Sequence, residues 1–349
     1  MRILHVFCQN HNIGDYLLAY GVRKLLRTYL DVELIASANL QGQVFDEYYI
    51  DEVVNKKYDL LVIGGGGILH GAHWPNGWFW LIEKSLISRI KIPFIIFGVG
   101  YNYFPGEDGI PERGIVHLRE TFEKALHFTV RNDGSKKCLT RDTGIIAQEI
   151  PDPGFFMGSP SESKGYVVIQ PAMDKSKMRF SNRPQEDVLC DIRNVAINLS
   201  EHRKVILASH VYDDIEACRY IFDESKNMEI VDFGKYAFDK SHEYIDLYKH
   251  AEFVLSMRGH GLIVPMGMNV PVISLGTHRK NIDLMHNLEL SDFIADVNKT
   301  TFSADICSVI QNIETNRTKI KEKYNTFNLG FDESIRKDFD EIKMKLSHM

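Results

Sequence analysis

Short apolar runs recur along the chain, each closed by a polar or glycine-rich turn and followed by a stretch with helical periodicity. The runs are Ile3–Cys8, Tyr58–Ile63, Pro93–Val99 and Phe128–Arg131, then Tyr166–Gln170, Val205–Ala208, Glu229–Asp232, Phe253–Leu255 and Val270–Leu275. Largely apolar runs of three to seven residues, most without alternation, predict strands buried on both faces, as in a parallel sheet. Between them, spacing predicts helices over Asp15–Leu30 (apolar face Leu17, Leu18, Val22, Leu25, Leu26), Pro111–Leu126, Pro184–Ser200, Tyr212–Phe222, His242–His250 and Leu262–Met268. A further helix is expected to begin near Pro75, and Thr301–Met349 reads as mostly helical and charged. Strands alternating with helices give an α/β class. Pro, Gly and Ser concentrate between Ile150 and Gly165, after which the pattern restarts. Two lobes follow, 1–158 and 165–325, with 326–349 a final helix that crosses back to the first. A ligand cleft is expected between them, with the strand ends of both lobes facing it.

In parallel α/β sheets, ligands sit at the carboxyl ends of the strands. Ser256-Met257-Arg258-Gly259-His260-Gly261 follows one predicted strand and Gly276-Thr277-His278-Arg279-Lys280 follows the next. Arg258, His260, Arg279 and Lys280 thus stand just past two consecutive strand ends, with a helix N-terminus beside them, and predict an anion site. Taken singly, each is better read as a helix-end charge or a turn histidine. Arg131 also ends a strand, and its alternative role is an ion pair.

Gly64–Gly67 after a strand permits close approach of backbone to a ligand or to a neighbouring helix. No Gly-Lys-Ser/Thr follows, so it is not a P-loop. The loop Asn12-Ile13-Gly14-Asp15 turns from strand to helix, with Asp15 as the expected cap. All three tryptophans lie between Leu69 and Trp80. Trp74, in a turn, is the sugar-stacking candidate, while Trp78 and Trp80 fit a packed helix equally well. Tyr101 and Tyr103 lie in a long aromatic loop. His70 and His73 lack a metal-ligand pattern.

Composition narrows the chemistry. At 349 residues, 44% hydrophobic and 25% charged, the chain has room for two ordinary domains. A formal charge of −6 argues against a broad nucleic-acid surface, so an anionic ligand must be met by local cations. The five cysteines are scattered and form no CxxC pair, which fits reduced thiols in the cytoplasm. The N-terminus reads as a first strand, and no apolar run approaches the ~20 residues of a membrane span.

Six segments occur in an order that resembles one family. They are Asn12-Ile-Gly-Asp15, Gly64-Gly-Gly-Gly-Ile-Leu69, Val130-Arg-Asn-Asp-Gly-Ser135, Asp152-Pro-Gly-Phe155, Ser256-Met-Arg-Gly-His-Gly261 and Pro271 through Lys280. Together they resemble the polysaccharide pyruvyl transferases, from the first strand to about residue 290. The Ser-x-Arg-x-His turn with a lysine about twenty residues later is the most specific part. Gly259 stands where a bulkier apolar residue is common, and Asn132 where Asp is common.

The resemblance implies a GT-B-like fold of two Rossmann-like lobes, the second facing the donor and the first the acceptor. It implies transfer of the pyruvyl group of phosphoenolpyruvate onto two hydroxyls of a sugar as a cyclic ketal, with release of phosphate. No metal or cofactor is implied beyond phosphoenolpyruvate as co-substrate. Arg131, Arg258, His260, Lys280, Gly66 and Gly67 would bind the donor. His260 would act as acid/base or as a phosphate ligand, with Arg258 beside it. Asn12, Asp15, Trp74, Tyr101 and Tyr103 would contact the acceptor, a saccharide that is lipid-linked and met in the cytoplasm at the inner membrane face. Rival readings are a nucleotide-sugar glycosyltransferase or epimerase of the same fold, and a non-catalytic phosphosugar-binding relative.

Overall fold

A computed structural model describes residues 1–70, 74–102, 109–180, 183–235 and 240–349. Tyr103 and His73 lie outside them. The chain divides into two compact units.

The first unit comprises Met1–Gln9, Leu18–Pro153 and Gly330–Met349. Its strands are β1 (Arg2–Phe7), β2 (Leu34–Asn39), β3 (Leu60–Gly64), β4 (Leu69–His70), β5 (Phe94–Val99), β6 (Tyr101–Asn102), β7 (His127–Arg131) and β8 (Gln148–Ile150). Six of them form one sheet in the order β2-β1-β3-β5-β7-β8, every pair parallel. β4 and β6 make a separate two-stranded ladder. β3 and β5 are buried at every residue, as unbroken apolar runs require. Burial of each such Leu, Ile, Val or Phe contributes about 1.5–3 kcal/mol.

The second unit comprises Asn10–Leu17 and Gly154–Leu329. Its strands are β9 (Tyr166–Gln170), β10 (Lys204–Ser209), β11 (Met228–Asp232), β12 (Ala251–Ser256), β13 (Val272–Gly276) and β14 (Ile294–Asp296). They form one parallel sheet in the order β11-β10-β9-β12-β13-β14. The chain starts at β9, steps outward to β11, then returns to β12 and steps to the other edge. Order therefore reverses between β9 and β12, where parallel sheets of this kind leave a crevice for ligands. Both units are Rossmann-like.

Three expectations need correction. The first unit is not a continuous stretch from residue 1 to 158, because Asn10–Leu17 packs into the second unit, where the Ile13 N–H donates to the His210 carbonyl at 3.1 Å. Among the described residues no helix starts near Pro75. Instead Trp78 bridges antiparallel to Leu69, and the N–H groups of His70 and Phe79 donate to the carbonyls of Gly77 and Ile68 at 3.0 Å each. Trp78 and Trp80 are thereby fully buried and meet edge-on at 5.5 Å. The N-terminal helix starts at Ile13 rather than Asp15.

The tail is one long helix, Phe302–Ser347, interrupted at Asn316, whose backbone leaves the helical region. Its segment from Gly330 onward belongs with the first unit. There Phe339 stacks on Tyr29 at 4.9 Å, and Asp338 accepts from His127 at 2.8 Å. Among the described residues no helix is long and apolar enough to cross a membrane.

Candidate active site

The reversal point of the second sheet is built from polar residues in register. Gln170 ends β9 and pairs with Ser256 at the end of β12, which pairs with Ser274 in β13. The Gln170 Oε1 accepts from the Ser256 hydroxyl at 2.8 Å and from the Arg258 N–H at 3.0 Å. The turn after β12 is thus tied to the strand across the reversal. Gly261 is required by this arrangement, since a Cβ there would lie 2.2 Å from Ser256 Oγ. The spacing of Ser, Arg, His and Gly in the motif is the spacing of this turn.

The turn after β13 is stitched to the first. Met257 O accepts from Asn281 Nδ2 at 2.9 Å and from the Thr277 hydroxyl at 3.4 Å. His278 caps the helix Arg279–Asn287, its Nδ1 accepting from the Lys280 N–H at 3.2 Å. The Lys280 side chain reaches back over the first turn: its Cε lies 4.0 Å from where a Cβ on Gly259 would stand. The small residue at 259 therefore leaves room beside Lys280. The two turns expected to share one crevice are joined by these bonds. Arg279 does not join them; it is exposed and pairs with Asp283 of its own helix at 3.3 Å.

Arg258 carries its charge in a committed fork. Its Nε and Nη2 donate to the two oxygens of Asp214 at 2.7 and 2.6 Å, and Nη2 also meets Asp174 at 2.5 Å. Burial disfavours the guanidinium charge, but Asp214 and Asp174 outweigh it and raise the pKa further above its ordinary value. Asp214 is fully buried and also accepts the N–H groups of His210, Val211 and Met173. Asp174 lies between Arg258 and Arg179, the latter 3.0 Å away. Partial burial raises its pKa, yet the two guanidiniums win and hold it at about 2. Arg179 in turn donates to Thr277 at 3.2 Å. Two arginines thus balance two aspartates in formal charge.

His260 opens the helix His260–Gly267 and is half-buried. The first turn of the helix Ile13–Tyr29 lies directly on it: a Cβ on Gly14 would be 2.1 Å from His260 Nδ1. That turn is capped by Asn12, whose Oδ1 accepts the Gly14 N–H at 3.0 Å. Asp15 is not the cap; it accepts from Asn10 Nδ2 at 2.9 Å, inside the first helical turn. Asn12 and Asp15 therefore stand close in sequence to the residue covering His260.

The family model for polysaccharide pyruvyl transferase matches residues 12–279. The chain belongs to the polysaccharide pyruvyl transferase family. No curated protein matches it. Among solved structures it is similar to UDP-GlcNAc 2-epimerase from Neisseria meningitidis bound to UDP-GlcNAc, at 12% identity and TM-score 0.57 over 100% of both chains. It is similar to an S. aureus MnaA–UDP co-structure at 11% identity and TM-score 0.55, over 93% of this chain and 90% of that one. It is also similar to the wall teichoic acid polymerase TagF at 12% identity and TM-score 0.51, over 99% and 89%. At such identities the likeness is one of fold alone, GT-B-like with two Rossmann-like lobes.

In this family member the first unit's candidates lie differently from the second's. Arg131 ends β7 as expected, but it is buried, paired with Asp133 at 2.6 Å and Asp152 at 3.1 Å. Burial opposes its charge, and the two carboxylates overcome that and raise its pKa. Gly100 and Gly67 make space for the guanidinium; Cβ atoms there would lie 2.3 and 3.5 Å from its nitrogens. Asn132 supports the same cluster, its Oδ1 accepting the Asp152 N–H at 3.1 Å.

The glycine run packs closely against protein. A Cβ on Gly64 would lie 2.4 Å from Phe97 O, and Gly65 and Gly66 have φ of 76° and 93°, which disfavours any side chain. Gly66 O accepts the Gly100 N–H at 2.9 Å. Tyr101 contradicts an acceptor-facing role: only 4% exposed, it donates its hydroxyl to Asp142 at 2.7 Å. Trp74 is half-buried, edge-on to Phe79 at 5.0 Å.

Asp174, Arg179, His210 and Asp214 went unread in the sequence. Asp214 sits shortly after β10, so the strand-end rule that found Arg258 reaches it. Asp174 follows β9 by the same rule.

Proposed function

We propose that the chain transfers the pyruvyl group of phosphoenolpyruvate to two hydroxyls of a sugar, using the joined turns of the second unit as the donor site. What supports this beyond family membership is that the second strand-end turn donates to Met257 O of the first, which joins the backbone carrying Arg258 and His260 to that carrying Lys280. Phosphoenolpyruvate presents a phosphate and a carboxylate close together. Lysine suits phosphate as a point charge, and arginine suits a carboxylate through its planar fork. Asp214 and Asp174 take Nε and Nη2 of Arg258, which leaves Nη1 as the nitrogen this reading gives to the donor carboxylate. Arg131 is assigned a supporting role within its own unit rather than ligand contact.

The reaction in this reading has two steps. Protonation of C3 makes C2 oxocarbenium-like, and a sugar hydroxyl oxygen bonds to C2 as its proton leaves. The neighbouring hydroxyl then attacks C2, the C2–O bond to phosphate breaks, and its proton departs with phosphate. One hydroxyl proton replaces the one gained by C3, so the sum is diol plus phosphoenolpyruvate to ketal plus phosphate. His260 is the group suited to moving these protons near neutral pH. The acceptor is a saccharide or its lipid-linked precursor, with Trp74 as a stacking candidate.

The test is phosphate release from phosphoenolpyruvate across a panel of sugar acceptors. Release that depends on acceptor, and falls by about 10²–10⁴-fold in His260→Ala, supports the reading. Thermal protection by a uridine nucleotide with none by phosphoenolpyruvate would favour a nucleotide-sugar enzyme instead. Binding of phosphoenolpyruvate without release would favour a non-catalytic relative.

A further inference from the structure

We propose that His210 is the positioning residue for His260, fixing the turn on which it stands and the helical turn that covers it. This rests on the reading of His260 as the group that moves protons. His210 follows the end of β10 and is fully buried. Its N–H donates to Asp214, the carboxylate that forks Arg258. Its carbonyl accepts the Ile13 N–H at 3.1 Å, which anchors the turn that lays Gly14 over His260. Its ring meets the far side of the same motif: Cε1 lies 3.3 Å from where a Cβ on Gly261 would stand. One residue thus contacts the element above His260, the backbone just after it, and the partner of Arg258 just before it.

The ring itself is held from behind. Nε2 is 2.8 Å from the Tyr248 hydroxyl, and Tyr244 stacks on Tyr248 with ring centres 4.1 Å apart. Nδ1 is buried with no hydrogen-bond partner among the described residues. Burial keeps His210 neutral, and the charges of Arg258 and His260 push the same way. A neutral, clamped imidazole is a rigid wall that does not compete with His260 for protons. Among the described residues, the charged and titratable groups on the elements around the pair include Arg258 in the motif turn, Asp214 after β10, Asp174 after β9, Lys280 past β13, Asp15 next to Gly14 in the covering turn, and Tyr244 and Tyr248 behind. The His210 carbonyl and ring link the backbone beside His260 to the Ile13–Gly14 turn.

The experiment compares wild type with His210→Phe, His210→Gln and Tyr248→Phe, the last keeping the ring stack while removing the hydroxyl. Turnover is read by phosphate release, and the His260 ring by its 13C resonance across pH. The expected result for His210→Phe is a kcat loss of about ten- to a hundredfold with KM for phosphoenolpyruvate held within about twofold. The pH midpoint of the His260 resonance should move by about half a pH unit or more. His210→Gln should restore part of both, and Tyr248→Phe should fall between wild type and His210→Phe. Unchanged kcat, or a kcat loss with an unmoved His260 midpoint and no rescue by Gln, overturns the assignment. If His210→Phe does not fold, Tyr248→Phe decides: wild-type kcat and midpoint there also overturn it. Absence of phosphate release from wild type with every acceptor would sink the transferase reading alone. The resonance measurement needs no substrate and still tests His210.

Discussion

Replacing Gly14 by alanine separates the needs of the fold from those of His260. The added methyl would stand 2.1 Å from His260 Nδ1 and 2.8–2.9 Å from two ring carbons. Ordinary contact distance is about 3.5 Å, so ring and helix must part by more than about 1 Å. The backbone at Gly14 is helical, where alanine is favoured over glycine by up to about 1 kcal/mol. Overpacking at the new contact works against this by about 1–3 kcal/mol. The net stability change is therefore small or moderate, about 0–3 kcal/mol of loss. A misplacement of about 1 Å in a reacting group costs about 10²-fold in rate. The expected outcome is a roughly hundredfold fall in phosphate release with the unfolding transition lowered by only a few degrees. Gly14→Ala retaining more than about half of wild-type turnover would refute the placement of His260 under the Ile13 turn as a determinant of catalysis.

Other substitutions test the supports around the site. Asp214→Ala leaves Arg258 buried without its fork and should destabilise the protein by about 3–5 kcal/mol in denaturant unfolding, with weaker binding of phosphoenolpyruvate. Asp174, held at about 2 by Arg258 and Arg179 against partial burial, lies below the ~3.9 of an unfolded aspartate. A depressed pKa adds stability above the unfolded value and loses it as pH falls towards 2, so wild type should lose stability between about pH 4 and 2. Asp174→Asn should flatten that part of the pH–stability curve; an unchanged slope would contradict the pairing. Gly330, helical with nothing within 4 Å of an added Cβ, should gain up to about 1 kcal/mol of stability when replaced by alanine, read as a small rise in melting temperature.

The strands were legible because burial on both faces leaves an unbroken apolar run, as at Leu60–Gly64 and Val272–Gly276. The motif turn was legible because Ser256, Arg258, His260 and Gly261 are spaced by the turn itself. Ion-pair partners were not. Asp174 and Asp214 lie 84 and 44 residues from Arg258, and only the order β10-β9-β12 brings them to it. The cap was misassigned for a local reason: Asp15 and Asn12 are both good caps, and it is Asn12 that accepts the Gly14 N–H at the head of the helix beginning at Ile13.

The tryptophan segment was misread because Trp78 and Trp80, two apart, fit one face of an extended chain better than one face of a helix. Arg131 was correctly placed at a strand end, but position alone does not distinguish an arginine facing a ligand from one buried between Asp133 and Asp152.

Direct titration of the protein with phosphoenolpyruvate, in wild type and in Lys280→Ala, is the sharpest test of the joined turns as a donor site. Saturable binding is expected, weakened about ten- to a hundredfold by loss of the lysine, since a charge-assisted bond is worth about 1.5–3 kcal/mol. No binding by wild type, or equal affinity in the two proteins, would contradict it.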